Sequence, residues 1–439
     1  MNDFLEMGFA ASDFTPAPRL SLLGQMHERF ATHARDPLTA NAVAMRQAAL
    51  TVVLVSVDVA LLPDEFVNAV QMDFERVTGL PGRHLLLHST HTHVAPITVK
   101  LIKGDPDPDF MESLKNSILG AASRALARME PAQLFCGTGH LDHMGWNRRA
   151  MFANGTSQMY GNSEQPGFIG MEGPRDPALP MLCARDGAGN VLGVLLNFST
   201  HPNSIEGESV YSADVPGAAR AVLRQVLGEE IGIVYFTGAA GNTAPSLLDP
   251  LAPDQPWRGE AGLRRSGQYL GAEAAKTMAA AIEPMVSPKL KLLQRIIEVP
   301  LRDWPREGEP SYPPSLLGEP QGGRTDYYRE AQETWPRYRA DNNPWQLRIN
   351  VLRIGDAALC FNPGELFVEF GLEMRAASPG RITFINQLTD GYAGYIPTPL
   401  AFSRGGYETW CAPSSRLAPE AGDAIVAATI ELLRAVFVD

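Results

Sequence analysis

Leu85-Leu86-Leu87-His88-Ser89-Thr90-His91-Thr92-His93-Val94-Ala95-Pro96 is the stretch from which this chain is best read. An apolar run ends in polar residues, and two imidazoles stand one residue apart just ahead of a proline. On an extended backbone residues i and i+2 project to one face, so His91 and His93 are expected to reach a common point. A buried imidazole needs a partner for each ring nitrogen, and imidazole is the commonest metal-ligating side chain. The plain alternative is a polar strand end with satisfied histidines, and the rest of the chain decides between the two.

Outward from this stretch, apolar runs of strand length alternate with helical patterns. Leu50–Val59 and Leu85–His88 read as buried strands, with a helix predicted over Asp64–Thr78 between them. Met111–Ala127 carries apolar residues at helical spacing. Val191–Phe198 and Ile231–Phe236 hold few polar residues, as strands covered on both faces do. Gly267–Ile282 reads as an alanine-rich helix. Leu290–Val299, Leu347–Ile354, Ala357–Phe361 and Arg381–Gln387 read as later strands, and Glu420–Val436 as a closing helix. The alternation predicts an α/β fold, a mixed β-sheet core flanked by helices.

No internal repeat is visible, and nothing interrupts the pattern enough to separate a second domain, so 1–439 is expected to be one domain. The main break in composition is Arg302–Pro344, rich in Pro, Gly, Arg, Tyr and Trp. It is expected to be a surface excursion or subunit contact, or else a lid whose aromatics shape a pocket. Ala150–Arg175, rich in Gly, Asn and Ser, reads as exposed loop.

The 439 residues are 45% hydrophobic, enough for a large core, and the formal net charge is −12. That charge disfavours nucleic acid and anionic membrane as partners. The first residues lack the basic and apolar regions of a signal peptide, and no stretch is long and apolar enough to span a bilayer. Cys136, Cys183, Cys360 and Cys411 have no paired spacing and read as reduced thiols. A cytoplasmic protein acting on a small-molecule substrate is expected, with a homo-oligomer left open.

Four more apolar runs end in chemically capable residues. Leu196-Asn197-Phe198-Ser199-Thr200-His201-Pro202 closes a strand on a histidine. Val234 to Pro245 is a strand entering a Gly/Ala turn, Gly238-Ala239-Ala240-Gly241. Asn362-Pro363-Gly364-Glu365 sets a carboxylate after a Pro-Gly turn and before an apolar helix. Asp390-Gly391-Tyr392-Ala393-Gly394-Tyr395-Ile396-Pro397-Thr398 runs on to Tyr407-Glu408. Each alone is weak; together they place polar groups at strand ends, where open α/β sheets gather their sites.

In this order the motifs resemble those of the catalytic domain of neutral/alkaline, non-lysosomal ceramidases. Thr90-His91-Thr92-His93-Val94-Ala95-Pro96 resembles the run supplying that family's first zinc ligand. Ser199-Thr200-His201 is similar to the second, Pro363-Gly364-Glu365 to the third, and Gly394-Tyr395-Ile396-Pro397-Thr398 with Tyr407-Glu408 to the fourth. Gly8-Phe9-Ala10-Ala11-Ser12-Asp13-Phe14-Thr15-Pro16 resembles the family's opening motif. The resemblance implies one Zn²⁺ per chain on His91, His201, Glu365 and Tyr407, within a single ceramidase-like catalytic domain. There are two departures. Ala244 in Gly241-Asn242-Thr243-Ala244-Pro245-Ser246 stands where the family's nucleophilic serine would be, and the immunoglobulin-like C-terminal domain has no counterpart.

The implied chemistry is a zinc-dependent hydrolase of an amide (N-acyl) bond in a soluble substrate, with metal-bound water as nucleophile. His93 is then the expected general acid/base. Arg148, in an Asn147-Arg148 pair matching one that the family places near its site, is the expected substrate-holding group. The Gly238–Gly241 turn is a candidate source of N–H groups for an oxyanion, and Asp214 a candidate carboxylate behind a ligand. A lyase, isomerase or glycoside-processing enzyme using zinc as Lewis acid, and a non-catalytic metal-binding protein, are the alternatives. His140 and His143 form a weaker rival cluster.

Overall fold

The computed structural model describes residues 4–101, 104–245, 257–285, 289–305 and 324–438. Three sheets carry the fold. The first orders its strands Leu85–Ser89, Leu50–Val57, Thr39–Gln47, Glu6–Asp13 and the short Glu130–Pro131. The second runs Gly232–Thr237, Val191–Phe198, Ala178–Arg185, Gln133–His140, and the third Leu290–Val299, Trp345–Ile354, Ala357–Phe361, Ile382–Asn386. In each sheet antiparallel neighbours dominate, and one strand pair is parallel. These pairs are Leu50–Val57 with Leu85–Ser89, Val191–Phe198 with Gly232–Thr237, and Ala357–Phe361 with Ile382–Asn386.

The inner faces of all three sheets meet in one core. Leu54 and Leu86 of the first, Leu182, Leu195 and Phe236 of the second, and Leu352, Phe361 and Phe384 of the third belong to the same buried cluster. Helices cover the outer faces. Asp64–Thr78 and Pro108–Ala127 pack on the first sheet, Asp214–Leu227 and Gly259–Ala280 on the second, and Val368–Ala376 and Ala421–Val436 on the third. Strands enclosed in this way alternate between two apolar environments rather than between core and water. Leu195 faces the central cluster, while Val194 and Leu196 face the helices.

Local chemistry sets the helix boundaries. The Asp107 carboxylate accepts from Phe110 N at the start of Pro108–Ala127, with Pro108 in the first turn. Asp64 and Glu65 open the helix that Gly79 ends at φ 73°. The expected mixed sheet is thus three sheets. Within Arg302–Pro344 the structure holds a helix, Arg324–Asn342, and residues 306–323 lie outside the described residues. The Tyr327, Tyr328 and Trp335 side chains of this helix are buried, and Tyr328 packs edge-on against Trp410 at 5.5 Å. No helix among the described residues is long and apolar enough to cross a membrane.

Candidate metal centre

The three parallel pairs share one consequence: their carboxyl ends come together. Main-chain and side-chain hydrogen bonds stitch these ends across the sheets. Ser89 N donates to Leu388 O, Gln387 N to Thr237 O, and Thr237 Oγ1 to Thr90 O. The Asn197 amide donates to Phe236 O, Ile385 O and Asn386 Oδ1, tying the second sheet to the third. His88 Nε2 accepts from Thr237 N and its Nδ1 meets Thr389 Oγ1, so this buried ring is spent on structure.

Just beyond these ends, three imidazoles and a carboxylate converge. His91 Nε2 lies 3.2 Å from His201 Nε2, 3.4 Å from His93 Nε2 and 3.2 Å from Glu365 Oε2. His201 Nε2 lies 3.4 Å from the same Glu365 oxygen. The strand ends at Ser89, and His91 has φ 72°, in the left-handed region. The two rings of the His-x-His pair therefore meet through a turn, not through the strand alternation expected from their spacing. A non-glycine residue held there is a local cost that the surrounding contacts must offset.

The far nitrogens determine what the near ones offer. His91 Nδ1 is 2.7 Å from Ala60 O and His201 Nδ1 is 2.6 Å from Ala240 O. A carbonyl can only accept, so both Nδ1 atoms carry the proton and both Nε2 atoms present lone pairs. His93 Nδ1 meets Glu206 Oε2 at 3.1 Å. Glu365 Oε1 accepts from the Tyr392 hydroxyl at 3.1 Å, whereas Oε2 is buried with no hydrogen-bond donor among the described groups. Electron pairs facing one another at this range call for a cation between them. A tetrahedral ion with Zn–N near 2.0–2.1 Å sets donor separations of about 3.3–3.4 Å, which the four measured edges match. Burial holds the His201 imidazole far below its usual pKa, with the Arg148 charge adding to the effect.

A layer of aromatic and ionic groups backs this cluster. Tyr395 stacks on His201 at 6.4 Å, Tyr407 packs against Tyr395 at 5.7 Å, and Trp410 against Tyr407 at 5.7 Å. Burial, followed by the Glu365 charge, pushes the Tyr407 phenol above its ordinary value. Arg148 is buried and donates to Glu408 Oε1 at 2.9 Å, Gly241 O at 3.0 Å and the Tyr395 hydroxyl at 3.1 Å. Arg149 takes the other Glu408 oxygen at 2.7 Å and also pairs with Glu172.

His91, His201 and Glu365 thus lie together, with His93 among them rather than set apart, and Tyr407 reaches them through Tyr395. Arg148 contacts the cluster through the Tyr395 hydroxyl and sits in a buried ion pair. The Gly238–Gly241 turn does not serve as an anion cradle at three of its four residues. Gly238 N donates to Phe198 O, Ala240 N to Gln387 Oε1 and Gly241 N to Leu366 O, leaving those N–H groups committed within the fold. Ala244 is buried beside Trp146 on a two-residue bridge, the Thr243 hydroxyl donates to Ser199 O, and Ser246 lies outside the described residues. Asp214 accepts from Ser204 N and Ile205 N, bracing the loop after His201. His140 pairs with Asp142 in the open and His143 lies against Tyr269, away from the centre. Sequence reasoning missed Glu206, Arg258 and Tyr392. The only signal for Glu206 was an acidic residue five positions after a strand-end histidine.

No family model matches the chain. The curated neutral ceramidase of Pseudomonas aeruginosa is 25% identical over 174 residues, 37% of this chain and 24% of that protein, so the match spans about a quarter of the relative. A solved structure described as a ceramidase complexed with C2 superposes with a TM-score of 0.77. It covers 98% of this chain and 75% of that one at 20% identity. The fold is that of neutral ceramidase. The crystal structure of neutral ceramidase from Pseudomonas aeruginosa agrees, with a TM-score of 0.74 at 21% identity, covering 100% of this chain and 76% of that one. The resemblance drawn from the strand-end motifs and the α/β expectation are both borne out.

Proposed function

We propose that this chain is a metal-dependent hydrolase, with zinc as the ion and an amide (N-acyl) bond of a small substrate as the target. One observation carries the reading. Imidazole lone pairs fixed by Nδ1–H donation meet the donor-less Glu365 Oε2 at tetrahedral-edge distances. His91, His201 and Glu365 would hold the ion, with Tyr407 the fourth group implied by the ceramidase resemblance. When bound, zinc supplies Lewis acidity at a carbonyl and brings the pKa of water to about 7.

The chain's own residues prepare the site. Tyr392 donates to Glu365 Oε1, which turns Oε2 toward the ring nitrogens. Arg148 donates to the Tyr395 hydroxyl, so that hydroxyl's own proton is left for another acceptor and the guanidinium strengthens it as a donor. This gives Arg148 its part: it acts through Tyr395 on a developing negative charge. The ring run Tyr328–Trp410–Tyr407–Tyr395–His201 supports reading the helix Arg324–Asn342, the described part of the 302–344 excursion that bears Tyr328, as a rim of the site. The common core of the three sheets supports treating 1–439 as one catalytic unit.

Ala244, buried and without a hydroxyl, favours keeping open a second reading. In that reading the ion acts as Lewis acid in a lyase, isomerase or glycoside-processing reaction. Metal analysis of the purified protein, followed by a panel of N-acyl amino acids, short N-acyl amines and aryl glycosides, separates them. Metal-dependent release of free amine supports the amidase. Turnover of glycosides alone supports the second reading, and a protein that binds no divalent metal is not the enzyme proposed.

A further inference from the structure

The third imidazole has a more definite place than a neighbour of two ligands would need. We propose that His93 is itself a protein ligand of the centre, and that Glu206 is the residue that positions it. The proposal rests on the metal-centre reading above and gives the ion three imidazoles and one carboxylate, with His93 taking the place that the ceramidase resemblance assigns to Tyr407, whose ring packs on Tyr395 rather than on the cluster.

The geometry of the ring is the first argument. His93 Nδ1 lies 3.1 Å from Glu206 Oε2, and a carboxylate there accepts, so the neutral ring turns its Nε2 lone pair the other way. That lone pair points at His91 Nε2, 3.4 Å off, and the metal-capable nitrogens of His91, His93 and His201 all lie within 4.8 Å of one another. An acid/base imidazole would direct this nitrogen to where a substrate proton sits, not into the ligand cluster.

The second argument is how completely the ring is held. Arg29 Nη2 donates to His93 O at 2.8 Å, fixing the main chain. Gly24, at φ 121°, lies so close that a Cβ there would sit 2.4 Å from His93 Cβ, so only glycine fits. Glu206 is anchored in turn: Arg258 pairs with one oxygen, and Asn203 Nδ2 donates to the other at 3.1 Å. Both of its oxygens are therefore committed, which makes it a support rather than a ligand. Glu206 belongs to the short loop after His201, and Asp214 braces that loop through Ser204 N and Ile205 N. One loop thus sets two of the three rings. His91 and His201 donate to carbonyls, while His93 alone donates to a carboxylate, which fixes its tautomer and the orientation of its ring.

The test loads wild type, His93→Ala, His93→Gln and Glu206→Gln with Co²⁺. Affinity is measured by equilibrium dialysis and ligand set by visible absorption. Both His93 variants are expected to bind Co²⁺ at least about 10-fold more weakly and with an altered visible spectrum. Glu206→Gln, the same shape without the charge, is expected to lose about 10–100-fold in affinity with a shifted spectrum. Wild-type affinity and spectrum in a folded His93 variant, with only kcat reduced, would overturn the proposal and make His93 an acid/base group. Wild-type values in Glu206→Gln would remove Glu206 as its positioning residue. Should the wild-type protein bind no Co²⁺ or Zn²⁺, the metal-centre reading fails first and this one with it.

Discussion

Replacing His201 by alanine tests the centre at its most buried donor. The ring supplies two of the four measured donor edges, 3.2 Å to His91 and 3.4 Å to Glu365, and hydrogen-bonds Ala240 O behind it. The substitution should lower the stability of the metal-free protein too, so the quantity to read is the increment that metal adds. An ion bound to the folded state alone, at a thousand times its Kd, stabilises by about 4 kcal/mol. Unfolding entropy of ~2.1 cal/mol/K per residue gives about 0.9 kcal/mol/K for 439 residues, so Tm should rise by roughly 4 °C. If loss of the ring weakens binding about a thousandfold, the increment at the same zinc concentration falls to about 0.4 kcal/mol, or less than about 1 °C. Thermal scans of both proteins with and without zinc, alongside metal analysis of the same samples, give the answer. A His201→Ala protein that keeps the whole increment and one ion per chain would refute the assignment.

Three further outcomes are expected. With Ala244 at the turn, long-chain N-acylsphingosine should be cleaved slowly or not at all in a product-release assay, and efficient cleavage would show that another hydroxyl had taken over. Glu408→Gln should cost about 3–5 kcal/mol in urea unfolding, because Arg148 and Arg149 are left buried without their shared carboxylate; an unchanged midpoint would count against the network. Burial pushes the Asp390 carboxyl up to about 6 from 3.8, so its stability contribution is full below the lower value and is lost as pH rises through the higher. Between about pH 7 and about pH 5 the wild type should therefore gain stability relative to Asp390→Asn. Parallel urea curves that keep a constant gap would contradict this.

Much of the framework was legible in the sequence because burial on both faces leaves a strong local trace. The helix over Asp64–Thr78 and the strands Val191–Phe198, Leu290–Val299 and Ala357–Phe361 stand at the boundaries read from apolar pattern and turn residues. Thr39–Gln47 escaped notice because its Ala40, Ala42 and Ala44 have little intrinsic strand preference and are strands only by pairing on both sides. Strand ends bearing His91, His201 and Glu365 were also readable, since a polar residue closing an apolar run is a local event. Three sheets instead of one, and the meeting of their parallel pairs at one point, were not, because strand partnership over hundreds of residues leaves no periodicity. The same holds within the centre. The sequence by itself brought His91 and His93 together through a spacing rule, whereas the left-handed turn at His91 is what joins them. The Glu206 contact that turns the His93 ring, and the Arg148 contact that reaches the site through Tyr395, depend on side chains 113 and 247 positions apart. Such contacts exist only after the core has closed around them, so tertiary packing alone decided which polar residues became the site.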